Sequence, residues 1–350
     1  MNPVFKITYW GATGTFCDPL RPKEITGKLV EAIRTLVEKD CLQQLRPGAD
    51  LEAAVHDLLA RELPFHLRSS FGGNTTCIEV ETPDALIILD SGSGFRELGL
   101  ALTARWEAQG PSANRSAHIL LSHGHMDHTF ATPYFDPYYD PANAFTVCAA
   151  QATLDSISAV LDPNSSLSRV FFPPTLEKLP GLRKFQPLLP GAEFHLGTTR
   201  IQTLALRHPG GALAFRLENS GRSFVFASDH EHQDVPDEEL AAFAANADLF
   251  YTEGQYSQAE YDGSDGIGPS PPMSRRGWGH SPLPACVATA VASGARRLHI
   301  GHRDPCRDDQ QIAHFEERLR QLVREELARL GKPPETCEAL VPYEGMSVYL

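Results

Sequence analysis

The chain has 350 residues, of which 42% are hydrophobic and 21% are charged, so it can form one elaborated domain or two with a full core. Its formal net charge of −13 argues against broad nucleic-acid binding, which needs many Lys and Arg side chains on the phosphates. No apolar stretch approaches the roughly 20 residues of a membrane span. The start lacks a signal-peptide pattern, and the seven scattered cysteines include no CxxC pair, so we expect a reduced, cytoplasmic chain.

Short β-branched and apolar runs, each ended by Gly, Asp or His, recur along the chain and predict about eleven strands. In chain order they lie at 5–11, 75–81, 85–92, 117–123, 144–150, 200–206, 213–219, 223–229, 248–254, 297–302 and 346–350. Helical patterns lie between some of them. The predicted helices cover 95–108, 151–161, 237–245, the stretch from Ser281 to Gly294, and 309–331. Because strands come in two batches, each followed by helices, we predict an α/β (α+β) fold, an αββα sandwich with two face-to-face sheets.

Residues 23–62 depart from this pattern, because two helical segments stand where the strands would otherwise follow one another. We predict a helical insertion at 23–62 within a single domain that spans 1–350. This insertion is expected to contact a second copy of the chain, giving a homodimer, or to cover a pocket.

The stretch "LLSHGHMDHTF" (120–130) places His123, His125, Asp127 and His128 at the end of an apolar run. Neutral imidazoles and a carboxylate are the ligands that a borderline divalent metal prefers. A loop that is histidine-rich by chance is the plainer interpretation, but it rarely gives this spacing. The hexapeptide therefore predicts a metal site.

Further candidates stand at strand ends or just before a helix. They are His208, Asp229, His280 and His302. Each alone is more simply explained as a loop or turn residue. Following HxHxDH in this order, they indicate a site for two metals.

In these motifs the chain resembles the metallo-β-lactamase superfamily over nearly its whole length. It is most similar to the phosphodiesterase branch, which includes phosphoribosyl cyclic-phosphate and cyclic-nucleotide phosphodiesterases and is related to tRNase Z. The stretches that carry the closer resemblance are 72–80, 88–99, 208–217, 277–281 and 301–309.

The resemblance implies a ligand set and a mechanism. His123, His125 and His208 would hold one metal, Asp127, His128 and His302 the other, and Asp229 would bridge them. Two divalent ions are expected, zinc before manganese or iron. A bridging hydroxide would attack the phosphorus of a cyclic nucleotide or a phosphoribosyl cyclic phosphate. Asp127 would also orient that hydroxide, His280 would protonate the leaving oxygen, and Asp90 would fix the orientation of a ligand.

Three features bear on the substrate. A carboxylate at the bridging position, rather than a cysteine, is typical of relatives that cut phosphodiesters and thioesters. Arg303 stands where a second histidine is expected after His302, so Arg303 and His280 are predicted to contact a small phosphodiester. The aromatic side chains of 129–145 are expected to pack over the sheet rather than to stack on a nucleobase.

Alternative functions use the same residues. A metal-dependent hydrolase of carboxylic esters, lactones or thioesters would need the same ligands, and so would a tRNase Z-like ribonuclease. A binding protein that keeps the fold without catalysis is a third possibility, although such proteins commonly lose a ligand. Neither a membrane nor a nucleic acid is expected as a partner.

Overall fold

Two seven-stranded sheets form the centre of the computed structural model, which describes residues 5–48, 50–110, 113–171 and 175–350. The strands are β1 (Lys6–Gly11), β2 (Cys77–Glu81), β3 (Leu86–Leu89), β4 (Ser116–Leu120), β5 (Ala144–Ala149), β6 (Leu182–Pro187), β7 (Glu193–Leu196), β8 (Thr199–Leu206), β9 (Ala212–Asn219), β10 (Arg222–Ala227), β11 (Leu249–Glu253), β12 (Arg297–Gly301), β13 (Glu338–Leu340) and β14 (Ser347–Tyr349). The first sheet has the order β14-β1-β2-β3-β4-β5-β6, and the second has the order β13-β12-β11-β10-β9-β8-β7. All eleven predicted strands are present.

The helices lie outside the sheets or in the connections. They are α1 (Pro22–Glu38), α2 (Leu51–Glu62), α3 (Phe65–Arg68), α4 (Gly94–Gln109), α5 (Met126–Thr129), α6 (Gln151–Leu161), α7 (Ser166–Phe171), α8 (Glu238–Phe243), α9 (Gln258–Asp262), α10 (Leu283–Ser293) and α11 (Asp309–Arg329). The long predicted helices are all found. Gly294 adopts the left-handed conformation that ends α10, as its position in the sequence suggested.

Three hydrophobic clusters fill the layers between these elements. Side chains of both sheets, among them Ile7, Val80, Phe215 and Phe226, make the core between the sheets. A second cluster lies between the first sheet and helices α4 and α6, and a third lies between the second sheet and helices α8, α10 and α11. The order helix, sheet, sheet, helix confirms the predicted αββα sandwich.

The first and last strands belong to the same sheet. β1 pairs antiparallel with β14, with Ile7 opposite Val348. This pairing supports the prediction of one domain over 1–350, which stays a prediction. No helix in the described part of the chain is long and apolar enough to cross a membrane.

The predicted helical insertion contains α1 and α2, which share a small core of Ala32, Leu36, Leu58 and Leu63. The adjoining stripe of α1 remains at the surface, although it is aliphatic. Its members are Ile25, Leu29, Val30, Ile33 and Val37, each between 46% and 61% exposed. The structure contains one chain, so the expected homodimer stays a prediction.

Candidate metal centre

The seven predicted ligands lie together where strands of the two sheets end. The HxHxDH segment follows β4, and its second half forms the short helix α5. His208 follows β8, Asp229 follows β10, and His302 follows β12. Because the carboxyl ends of parallel strands share one edge of a sheet, residues far apart in sequence meet there. We call these seven residues the candidate metal centre.

One group of the centre contains His123, His125, His208 and Asp229, whose potential ligand atoms all lie within 4.8 Å of one another. The Nε2 atom of His208 is 2.9 Å from the Nδ1 atom of His125. The Oδ2 atom of Asp229 is 3.6 Å from the Nε2 atom of His123 and 3.7 Å from that of His208. The arrangement offers three nitrogens and one oxygen around a single point.

The other group contains Asp127, His128 and His302. The Oδ2 atom of Asp127 lies 3.0 Å from the Nε2 atom of His302 and 3.3 Å from that of His128. Asp229 also faces this group, with Oδ1 at 3.3 Å from His128 and Oδ2 at 3.4 Å from His302. Asp229 therefore lies between the two groups, which is the position predicted for a bridging carboxylate.

The chemistry of these side chains fits divalent cations. The Nε2 atom of His123 is buried and has no hydrogen-bond partner among the described residues. Burial lowers the pKa of His208 to about 4 and holds the pKa of His123 well below its usual range, so both rings are neutral at physiological pH. Neutral imidazole nitrogens that converge with two carboxylates are the donor set of a zinc-type site.

Hydrogen bonds on the far side of three rings direct their free nitrogens inward. Asp90 Oδ2 accepts a hydrogen bond from His128 Nδ1 at 2.7 Å, and the backbone carbonyl of Gly279 accepts one from His208 Nδ1 at 2.9 Å. Ser122 Oγ donates to Asp90 Oδ2 at 2.8 Å and lies 3.0 Å from His123 Nδ1. The buried Asp90 thus contacts a predicted ligand directly, and its role in orienting that ligand stays a prediction.

His280 lies beside the centre, and its partner is a glutamate that sequence reasoning missed. The Nδ1 atom of His280 is 3.0 Å from Oε2 of the buried Glu253 and 3.9 Å from Oδ2 of Asp229. Burial lowers the pKa of His280, but the Glu253 carboxylate outweighs burial and raises that pKa to about 9. Glu253 therefore favours the protonated form of His280 at the edge of the site. His280 also groups with Asp229 and His302 as a possible ligand set.

Glu231 fixes the loop that carries His280, and it too was missed. Its carboxylate accepts hydrogen bonds from the backbone N–H groups of Gly277 and Gly279 at 2.6 and 2.8 Å. Gly279 has a φ of +88°, and a side chain there would collide with the ring of His208. The loop is therefore held in a conformation that brings its backbone against a predicted ligand.

Arg303 does not occupy the place predicted for a phosphate contact. Its side chain is buried, and its guanidinium donates hydrogen bonds to Thr13, Phe71, Gly72 and Pro342. His302 has a φ of +50°, so the chain turns there, and the hydrogen bonds of the Arg303 side chain all go to residues outside the candidate metal centre. This geometry favours a structural role, in which Arg303 ties the end of β12 to the chain around Phe71.

A comparison with known protein families shows to which family the chain belongs. Residues 86–302, more than half of the chain, match the family described as the beta-lactamase superfamily domain. The chain belongs to the metallo-β-lactamase superfamily. No curated protein matches it by sequence.

Several solved structures share the fold of this superfamily member. Yeast PDE1, in its unliganded form, has a TM-score of 0.60 at 13% identity, covering 99% of this chain and 100% of that chain. The metallo-β-lactamase fold protein YhfI from Bacillus subtilis has a TM-score of 0.58 at 15% identity, covering 99% and 100%. Human tRNase Z, short form, has a TM-score of 0.54 at 13% identity, covering 98% of each chain. At these identities the likeness shows the fold alone.

Proposed function

We propose that this metallohydrolase is a binuclear phosphodiesterase that opens a cyclic phosphodiester, either a cyclic nucleotide or a phosphoribosyl cyclic phosphate. The observation that carries the proposal is the position of His280, whose Nδ1 atom lies 3.0 Å from Glu253 and 3.9 Å from Asp229. Opening a cyclic phosphodiester releases an alkoxide, which is a poor leaving group and needs a proton. An imidazolium fixed beside the predicted bridging carboxylate suits that need.

The seven residues of the candidate metal centre would hold two divalent cations, and Asp229 would serve both. When bound, such cations supply an activated water and neutralise charge on the phosphate oxygens. Asp90 and Ser122 hold the imidazoles of His128 and His123 so that their Nε2 lone pairs face inward.

Asp127 has a second task in this proposal, which is to orient the attacking water. Its Oδ2 atom accepts a hydrogen bond from the backbone N–H of Thr15 at 2.7 Å, which fixes the carboxylate. His280 then gives its Nε2 proton to the leaving oxygen as the P–O bond breaks, while Glu253 keeps the other ring nitrogen protonated and oriented. The neutral imidazole regains a proton from the water consumed in the reaction, which closes the cycle.

A substrate screen of the metal-loaded chain tests the proposal. The panel contains cyclic mononucleotides, phosphoribosyl cyclic phosphate, bis(p-nitrophenyl) phosphate, a lactone, a thioester and a precursor tRNA. We expect hydrolysis of phosphodiesters that chelator abolishes and added metal restores. Turnover of the lactone or thioester alone, or of the tRNA alone, would overturn the proposal in favour of the corresponding hydrolase.

A further inference from the structure

Ser281, the residue after the proposed proton donor His280, is fully buried, and its hydroxyl has three close polar neighbours. Its Oγ atom donates a hydrogen bond to the backbone carbonyl of His230 at 2.5 Å. The same atom accepts one from the backbone N–H of His232 at 2.9 Å and lies 2.6 Å from Nδ1 of the His232 ring. Ser281 therefore joins the loop that carries His280 to the segment that follows Asp229.

The arrangement of donors around Ser281 determines how the His232 ring takes part. A serine hydroxyl has one hydrogen, and Ser281 gives it to the carbonyl of His230. The Nδ1 atom of His232 must therefore donate its proton to Ser281 Oγ. The other ring nitrogen, Nε2, is buried and has no hydrogen-bond partner among the described residues. Within the described part of the chain, the link to Ser281 is thus the one hydrogen bond that this ring makes.

Glu253 completes a ring of contacts around His280. Its Oε1 atom accepts the backbone N–H of His230 at 2.8 Å, and its Oε2 atom lies 3.0 Å from Nδ1 of His280. His230 is also the residue whose carbonyl Ser281 binds. The His280 ring, through Glu253, and the Ser281 hydroxyl are therefore held against the two peptide groups that flank His230, next to Asp229.

The loop before His280 needs such restraint, because it contains two glycines in the left-handed region. Gly277 has a φ of +82°, and Gly279 has a φ of +88°. Glycine loses more conformational freedom than any other residue when its backbone is fixed. Glu231 fixes the backbone N–H groups of both glycines, but His280 lies beyond them in the chain. The hydrogen bonds of Ser281 hold the chain on the other side of His280.

Resting on the proposed phosphodiesterase function, we propose that Ser281 and His232 are positioning residues for the proton donor. Among the described residues, neither side chain makes a hydrogen bond to the candidate metal centre, so both act through His280. Their hydrogen bonds hold the His280 ring in register with Asp229, 3.9 Å away. Loss of these bonds lets the loop shift, and a displacement of about 1 Å can cost a reacting group about 100-fold in rate.

The kinetic test compares two reactions of the metal-loaded chain that differ in their leaving groups. One substrate is 2′,3′-cyclic AMP or, if it is hydrolysed faster, phosphoribosyl cyclic phosphate, and both release an alkoxide. The other is bis(p-nitrophenyl) phosphate, whose leaving group needs no proton. In Ser281→Ala we expect kcat for the alkoxide reaction to fall by about 10- to 100-fold with little change in KM, because only the chemical step is slowed. The kcat for bis(p-nitrophenyl) phosphate should change little.

Ser223→Ala is the matched control for this comparison. Ser223 is also a buried serine, but its hydroxyl lies near Asp248, between β10 and β11. It should leave both reactions nearly unchanged. An equal loss on the two substrates in Ser281→Ala, or a loss carried by KM, would overturn the inference while the proposed function stands.

Two substitutions of His232 separate its hydrogen bond from the space that its ring fills. An asparagine can place its amide N–H near the position of Nδ1, whereas a glutamine places it near that of Nε2. His232→Asn should therefore keep most of the activity, and His232→Gln should lose kcat for the alkoxide reaction as Ser281→Ala does. Equal losses in the two variants would contradict the inference. This comparison remains decisive if Ser281→Ala does not fold.

Hydrogen exchange supplies a readout that does not depend on turnover. Exchange of the backbone amides at 277–281 is followed by mass spectrometry on the metal-loaded chain. It should be faster in Ser281→Ala and His232→Gln, and unchanged in His232→Asn and Ser223→Ala, because only the first two lose the bonds that hold the loop. Unchanged exchange in all four variants would overturn the inference. If the chain hydrolyses no phosphodiester, the proposed function fails, and this measurement still decides whether Ser281 and His232 hold the loop.

Discussion

The Nδ1 atom of His280 lies 3.0 Å from the Oε2 atom of Glu253 at the edge of the candidate metal centre. If this pair delivers a proton to the leaving alkoxide, His280→Ala should lower kcat by roughly 10²–10⁴-fold, the usual contribution of a positioned acid. The loss should shrink for bis(p-nitrophenyl) phosphate, because p-nitrophenolate leaves without a proton.

Measuring the metal content of variants distinguishes a proton-donating His280 from a metal-binding His280. His280→Ala should keep its metals, whereas His125→Ala should lose metal and activity on every substrate. Metal loss in His280→Ala would instead make His280 a ligand. An equal loss on good and poor leaving groups would indicate that His280 binds substrate.

The pH dependence of kcat tests the role of His280 and Glu253 in a second way. His280 must be protonated to act, and Glu253 raises its pKa, so activity should fall as the pH rises through the pKa of His280. Glu253→Gln removes the charge that raises the pKa of His280 while keeping the shape of the side chain. We therefore expect the alkaline limb of kcat to move to lower pH. A limb that stays in place in Glu253→Gln would show that another group controls it.

Asp90 offers a test of how the ligands are held. Asp90→Asn removes the charge that accepts the Nδ1 proton of His128, so metal affinity should fall by about 10- to 100-fold. Competition with a chromogenic chelator measures this. Asp248→Asn is the control, because Asp248 is also buried but bonds to Ser223 between β10 and β11. Equal effects of the two substitutions would mean that Asp90 acts only on stability.

The exposed stripe of α1 makes the expected homodimer testable. Ile33 is 58% exposed at the middle of the stripe, so Ile33→Glu costs the folded monomer little but opposes an apolar contact between copies. Light scattering should give a dimer for the unchanged chain and for Ala60→Glu, which alters an exposed residue of α2, and a monomer for Ile33→Glu. A monomeric unchanged chain would refute the dimer prediction.

The features that were predicted correctly from the sequence are those that depend on a local pattern of residues. Buried central strands are continuous apolar runs, and HxHxDH is one short segment, so both are visible without the fold. The strands that were missed, β6, β7 and β13, all lie at sheet edges, where polar side chains interrupt the apolar pattern. β6, for example, has exposed residues at three of its six positions.

Long-range partners of single residues were not predictable in the same way. Glu253 lies at the end of a predicted strand, and this position could have marked it as a candidate site residue. No feature of the neighbouring sequence, however, indicates that Glu253 contacts His280. Glu231 reaches the backbone of Gly277 and Gly279 only because the fold brings β10 beside that loop. Arg303 was assigned from its neighbour His302, whereas the chain turns at His302, which has a φ of +50°, and the guanidinium of Arg303 binds the backbone carbonyl of Phe71.

The binding of two metals is the central claim, and elemental analysis of the purified chain tests it most directly. The protein must never have met a chelator, and Asp229→Ala serves as the matched variant because Asp229 faces both groups of ligands. We predict about two divalent ions per chain in the unchanged protein and a clear loss of metal in Asp229→Ala. A chain that folds without any bound metal, before and after incubation with zinc, manganese or iron, would contradict the account.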